Sequence, residues 1–290
     1  MITVMGATGH TGKRIVEQLL QAGERVRALG RSAERLAELQ RAGAEVLAGE
    51  PDDAAYLTEA FRGAKAVYTL LPYDPSVADY MAQQAALGEA IVQAIRDGGV
   101  RCVVALSSVG AELASGNGPI ASMHEQELRL RELPGIDLLI LRAGAFFENL
   151  LPALNMIEEH GLVADGVGPD VPVPMIASKD IADAAIDALL ARDWQGVQVR
   201  ELLGQRDISY AECTRILGER LGRPDLPYVQ LPYDEVAGIL REAGFSADLA
   251  GRYAELALGI NERIVKSLEG RRPENTTATS FEAFVAEVVR

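Results

Sequence analysis

A chain of 290 residues, 48% of them apolar, has material for one large α/β domain or for a domain with a smaller lobe. Its formal charge of -14 argues against sequence-independent nucleic-acid binding, and without a span-length apolar stretch or a signal-peptide pattern a cytoplasmic protein with no membrane partner is expected. Two cysteines, Cys102 and Cys213, are too few for a disulfide framework, and with only His10, His124 and His160 as histidines no metal site is expected.

Ile2 to Met5 is a short apolar run of strand length, and it leads into Gly6-Ala7-Thr8-Gly9-His10-Thr11-Gly12. Ile15, Val16, Leu19 and Leu20 then fall on one helical face, closed by Gly23. Strand, glycine-rich turn and helix together read as a dinucleotide site. The glycines permit a tight turn, close approach to a pyrophosphate and close helix–strand packing, while the helix N-terminus offers N–H groups to phosphate. The spacing is G-x-x-G-x-x-G, with Thr8 where the commonest fingerprint has glycine.

The alternation continues. Strands are predicted at Val26 to Leu29, Ala44 to Ala48, Ala66 to Leu71, Arg101 to Leu106 and Asp137 to Arg142. Helices are predicted at Ala33 to Ala42, Ala54 to Arg62, roughly Ser76 to Asp97, and about Ala121 to Glu132. Repeated βα units give a doubly wound, Rossmann-type parallel sheet with helices on both faces, whose ligands bind at the C-terminal strand ends. Gly6–Gly12, Gly30-Arg31, Leu70–Tyr73, Ser107-Ser108 and Ala143–Asn149 are therefore expected to converge on one cleft.

After Asn149 the rhythm changes. A helix ends near Gly161, a Gly/Pro-rich segment runs to Pro174, and a further helix around Ile181 to Leu189 precedes a strand at Val199 to Leu203. From Ser209 the pattern is mostly helical, with capping-box forms at Ser209–Glu212 and Thr279–Glu282. The expected division is a nucleotide-binding core over 1–150, completed by about 177–205, and a smaller, mostly helical lobe over 151–176 and 206–290 on the substrate side.

Nicotinamide cofactors are sorted at the end of the second strand, where a carboxylate binds the NAD ribose and arginine accommodates the NADP phosphate. Here that end reads Gly30-Arg31-Ser32, so NADP(H) is expected in preference to NAD(H).

The chain resembles the NmrA-like group of atypical short-chain dehydrogenases, and is most similar to its NADPH-dependent quinone reductase branch. The resemblance covers nearly the whole length. It rests on the Gly6–Gly12 turn, Gly30-Arg31, Ser107-Ser108-Val109-Gly110-Ala111, His124 before an acidic helix, Leu141-Arg142, Phe147-Glu148-Asn149, Asp180-Ile181-Ala182 and Glu201-Leu202-Leu203-Gly204. It implies that Gly6, Ala7, Thr8, Gly9, His10, Thr11, Gly12 and Arg31 hold the cofactor phosphates. Leu70, Leu71, Pro72, Ser107 and Ser108 would line the path to the nicotinamide, with Ala143, Gly144, Ala145, Phe146, Phe147 and Asn149 flanking nicotinamide and substrate. Glu50 and Ala143 depart from the aspartate and proline that relatives often carry.

Typical short-chain dehydrogenases use a tyrosine whose pKa is lowered by a lysine four residues later. The eight tyrosines here are followed at that distance by Ala60, Pro72, Val77, Gln84, Thr214, Pro232, Ala237 and Ala257, so that dyad is absent. One explanation is a reductase for a small acceptor that needs no strong acid. A quinone qualifies, because hydride addition gives a delocalised aryloxide that water can protonate. His124 is then the best available protein acid, or a helix-start histidine facing water. Phe147 and Phe146 can stack on a flat acceptor or belong to the core; Asn149 and Ser108 can donate to a carbonyl or cap a helix. The other explanation is a non-catalytic NADP(H) sensor that reports redox state through a regulatory protein partner. Isomerase or epimerase chemistry ranks last, since it wants the same tyrosine.

Overall fold

In the computed structural model, which describes residues 1–289, the first half of the chain alternates β1 (Ile2–Val4), α1 (His10–Gln21), β2 (Val26–Gly30), α2 (Ala33–Arg41), β3 (Glu45–Ala48), α3 (Ala54–Phe61), β4 (Ala66–Thr69), α4 (Tyr80–Asp97), β5 (Cys102–Ser108), α5 (Ala121–Arg131) and β6 (Asp137–Ala143). The second half adds β7 (Ala145–Phe146), α6 (Ala153–His160), β8 (Val163–Asp165), β9 (Val173–Ile176), α7 (Ser178–Ala191) and β10 (Val197–Leu202). It ends with β11 (Asp207–Ile208), α8 (Tyr210–Arg220), β12 (Tyr228–Gln230), α9 (Tyr233–Glu242), α10 (Ala247–Asn261) and α11 (Phe281–Val288).

Seven strands form one parallel sheet in the order β10-β6-β5-β4-β1-β2-β3. The chain winds outward from β1 in both directions, so the switch point lies between β1 and β4 and places the glycine turn at its mouth. Side chains alternate across the pleat. Ile2, Val4, Val104, Leu139 and Leu141 pack with Ile15, Val16 and Leu19 of α1 and with Ile181, Ala185 and Leu189 of α7. Met5, Val67, Val103, Leu138 and Ile140 pack on the opposite face with Leu57 and Phe61 of α3 and Ile91 and Ile95 of α4. This is the Rossmann-type α/β architecture that the βα rhythm predicts.

A third apolar cluster joins Phe147, Ile157, Met175, Ile216 and Leu217 to Phe281, Phe284 and Val285, which gives the C-terminal helices a core of their own. A three-stranded sheet, β11-β9-β7, and the strand pair β12-β8 frame it. Two predicted helix starts move. Helix α4 begins at Tyr80 rather than Ser76, because Asp79 caps it by accepting the Ala82 N–H at 2.9 Å while Asp74 holds Ser76 in a local turn. Helix α11 is capped by Ser280 rather than Thr279; the Thr279 hydroxyl instead donates to Asp180 of α7 at 2.6 Å.

Candidate active site

Strand β1 delivers the chain to Gly6, whose φ of +62° is costly for residues with a Cβ. The turn is pinned on both sides: the Met5 N–H donates to the Tyr68 carbonyl at 3.0 Å and the Ala7 N–H to that of Leu29 at 2.9 Å. A Cβ on Gly12 would stand 2.2 Å from the Gly6 oxygen, so α1 can approach the turn only with glycine there. Gly9 is the N-cap of α1 and supplies no side-chain acceptor. The first-turn N–H groups of His10, Thr11 and Gly12 therefore remain available to an outside acceptor, at the positive end of the helix dipole. This cradle has the donors and the clearance that a diphosphate requires.

From the turn opens a cleft of about 440 Å³. Gly6, Thr8, Gly9, His10 and Thr11 line its floor, Gly30, Arg31 and Arg35 one end, and Leu70, Leu71, Pro72 and Tyr73 the wall after β4. Leu106, Met123 and Phe146 close the other end. Arg14 and Arg27 are engaged with Asp183 and Glu45, whereas no carboxylate pairs with the exposed Arg31 or Arg35 among the described residues. Their guanidinium forks are thus open to a phosphate.

Two further lining residues carry no motif. Tyr56 of α3 lies against Gly49, where a Cβ would sit 2.6 Å from its ring, and donates its hydroxyl to the Leu47 carbonyl at 2.8 Å. Burial pushes that phenol up to about 12. The glycine just after β3 is the only local hint of this contact. Met123 enters the cleft from the first turn of α5, a placement that depends on how α5 crosses the sheet.

Ser107 and Ser108 do not line this cleft. The Ser107 hydroxyl is buried and donates to Glu127 at 2.6 Å; Glu127 also accepts a bidentate pair from Arg142 at 2.9 and 2.7 Å. Burial pushes the Glu127 carboxyl up, but hydrogen bonds from Arg142 and Ser107 and the charges of Arg142 and Arg131 outweigh it and hold the group below the usual carboxylate range. Arg142 reaches Glu112 as well, at 3.1 Å. The Leu141-Arg142 motif thus serves a buried ion-pair network beneath the strand ends. The Ser108 hydroxyl is turned to the Val109 carbonyl at 3.0 Å.

Among the described residues past β6, only Phe146 reaches the cleft. Ala143 and Gly144 are buried, and a Cβ on Gly144 would stand 2.4 Å from the Pro174 oxygen. Ala145 is half-buried and pairs with Met175. The stacking surface expected at Phe147 is corrected: its ring is 2% exposed and packs edge-on against Phe281 at 5.1 Å and beside Phe284 at 5.4 Å. Asn149 is exposed and outside the cleft. Glu148 between them holds the start of α7, accepting the Ser178 N–H at 3.1 Å. His124 is half-buried, and its Nδ1 donates to the Ala111 carbonyl at 2.9 Å, which leaves Nε2 as its only open nitrogen. Among the described residues no three His, Cys, Asp or Glu side chains are grouped to hold a metal ion, and no helix is long and apolar enough to cross a membrane.

Known proteins resemble this chain in sequence and fold. A Streptomyces griseus (4-alkanoyl-5-oxo-2,5-dihydrofuran-3-yl)methyl phosphate reductase is 33% identical over 225 residues, which is 77% of this chain and 75% of that protein. An NAD(P)H azoreductase of Xenophilus azovorans is 27% identical over 256 residues, 88% of this chain and 86% of that one. The structure of the Escherichia coli NADPH-dependent quinone oxidoreductase complexed with NADPH superimposes with a TM-score of 0.85 at 23% identity, covering 100% of both chains. The family model for NmrA-like proteins matches residues 1–267, and the chain belongs to the NmrA-like family.

Proposed function

We propose that this protein is an oxidoreductase that uses NADPH in preference to NADH and passes hydride to a small quinone-like or related carbonyl acceptor. The observation that carries the reading is the two-part cleft. One part combines the uncapped α1 N-terminus with the unpaired Arg31 and Arg35, and the other is apolar and opens beside Phe146. Reductases among the relatives, of azo compounds and quinones, support the reaction class.

In this reading the amides of His10, Thr11 and Gly12 hold the diphosphate, and Arg31 and Arg35 grip a ribose 2′-phosphate. Leu70, Leu71 and Pro72 fix one face of the nicotinamide ring. When bound, the cofactor supplies a hydride. Leu106, Met123 and Phe146 exclude water from one side of the acceptor and orient a flat ring, so that positioning supplies most of the acceleration. With His124 outside the cleft lining, water provides the proton, and His124→Ala is expected to lower turnover by less than the roughly 10²–10⁴ of a general acid.

The test is loss of NADPH absorbance with a panel of quinones, beside calorimetric titration of NADPH and NADH. Turnover with tighter NADPH binding supports the reading. Tight NADPH binding with no turnover on any quinone overturns it in favour of a redox sensor acting through a protein partner.

A further inference from the structure

The apolar end of the cleft has six side chains without a hydrogen-bond donor: Leu70, Leu71, Pro72, Leu106, Met123 and Phe146. The lining donors Thr8, His10, Thr11, Arg31 and Arg35 belong to the glycine turn and the arginine end, and the Tyr56 hydroxyl is spent on Leu47. Ser107, His124 and Asn149 do not reach the lining. That leaves Tyr73, which lines the cleft directly after Pro72 and is 49% exposed.

Tyr73 sits on a connection anchored from the C-terminal helices. The Ser246 N–H donates to the Pro75 carbonyl at 2.8 Å, and Asp248 of α10 accepts the Tyr80 N–H at 2.9 Å. Gln84 of α4 donates to the Pro72 carbonyl at 3.0 Å. The loop is therefore held before and after Tyr73.

We propose that Tyr73, on this anchored loop beside the apolar end of the cleft, is the hydrogen-bond donor to the acceptor's oxygen. The inference rests on the reductase reading above and gives that reaction its polar contact. A quinone takes up a hydride from NADPH, gathers negative charge on its oxygen and receives a proton from water, leaving hydroquinone and NADP⁺. The Tyr73 O–H bonds to that oxygen throughout and strengthens as charge develops, so its loss falls on kcat more than on KM.

The experiment compares wild type and Tyr73→Phe with a methyl-naphthoquinone, in steady-state turnover, in NADPH titration and in titration of the quinone into the NADP⁺-loaded protein. Tyr73→Phe is expected to lower kcat roughly tenfold, below the roughly 10²–10³ of an enclosed donor because the site is half open. It should also weaken quinone binding while leaving NADPH affinity and melting temperature unchanged. An active wild type with unchanged kcat and quinone binding in Tyr73→Phe overturns this inference alone. A wild type that neither binds nor reduces the quinone overturns the reductase reading, and this inference with it.

Discussion

The Gly6 carbonyl oxygen stands where a side chain on Gly12 would begin, 2.2 Å from the Cβ position, so the two glycines lock the turn to the first helix through backbone contact alone. Gly9, between them, has its nearest such contact at 3.3 Å and points into the cleft. One motif therefore holds a glycine that the fold needs and another whose clearance faces the cleft.

That difference separates two substitutions. Gly12→Ala should destabilise by about 1–3 kcal/mol, the usual range for overpacking, or more because the obstacle is backbone. Gly9→Leu should melt within about 1 kcal/mol of wild type yet lose nucleotide binding, since its side chain would enter the diphosphate cradle. Urea denaturation and calorimetric titration of both variants check this. Equal destabilisation with retained binding would contradict it.

Arg31→Glu should weaken NADPH far more than NADH, by removing a charge-assisted contact and adding repulsion at the 2′-phosphate. Because Arg31 is exposed and pairs with no carboxylate among the described residues, the change should leave the melting temperature near wild type. Titration of both nucleotides measures the ratio, and equal losses would show that Arg31 does not read the phosphate.

Glu127→Gln should be strongly destabilising. It leaves Arg142 buried with only Glu112 at 3.1 Å, and breaking a buried pair costs about 3–5 kcal/mol; the remaining partner places the expectation near about 3. The wild-type pair also carries a pH dependence. The folded Glu127 lies below its ordinary 4.5, so its stabilisation is complete above that value and is lost as pH falls through the lower folded value. Urea midpoints measured from neutral pH into acid should fall less steeply in the Gln variant.

Phe147→Ala should act on stability rather than on acceptor recognition. Its ring packs against both Phe281 and Phe284 in the lobe core, and removing a buried phenylalanine costs about 3–5 kcal/mol. Phe146→Ala, on the cleft wall, should instead raise the acceptor KM with a smaller loss of stability. Denaturation curves and steady-state kinetics on the two variants distinguish them.

The features legible in the amino-acid order are local ones. Period-two apolar runs, period-3.6 faces, capping residues and the glycine turn act within a few residues of one another, so the βα alternation and the Gly6–Gly12 cradle can be read directly from the chain. The position of Arg31 at the tip of β2 follows from the same alternation. Tertiary packing settles which way side chains turn where their partners come from remote segments. Phe147 turns inward because Phe281 and Phe284 of α11 wait there, and Ser107 turns to Glu127 because α5 crosses beneath the strand end. Thr279 gives up its capping role because the Asp180 carboxylate lies within reach. Tyr73 carries no motif at all; it stands at the cleft because α10 ties down the loop after β4 through Ser246 and Asp248. Local patterns fix the backbone path, while the direction of a side chain at a strand end depends on contacts that exist only once distant elements have packed.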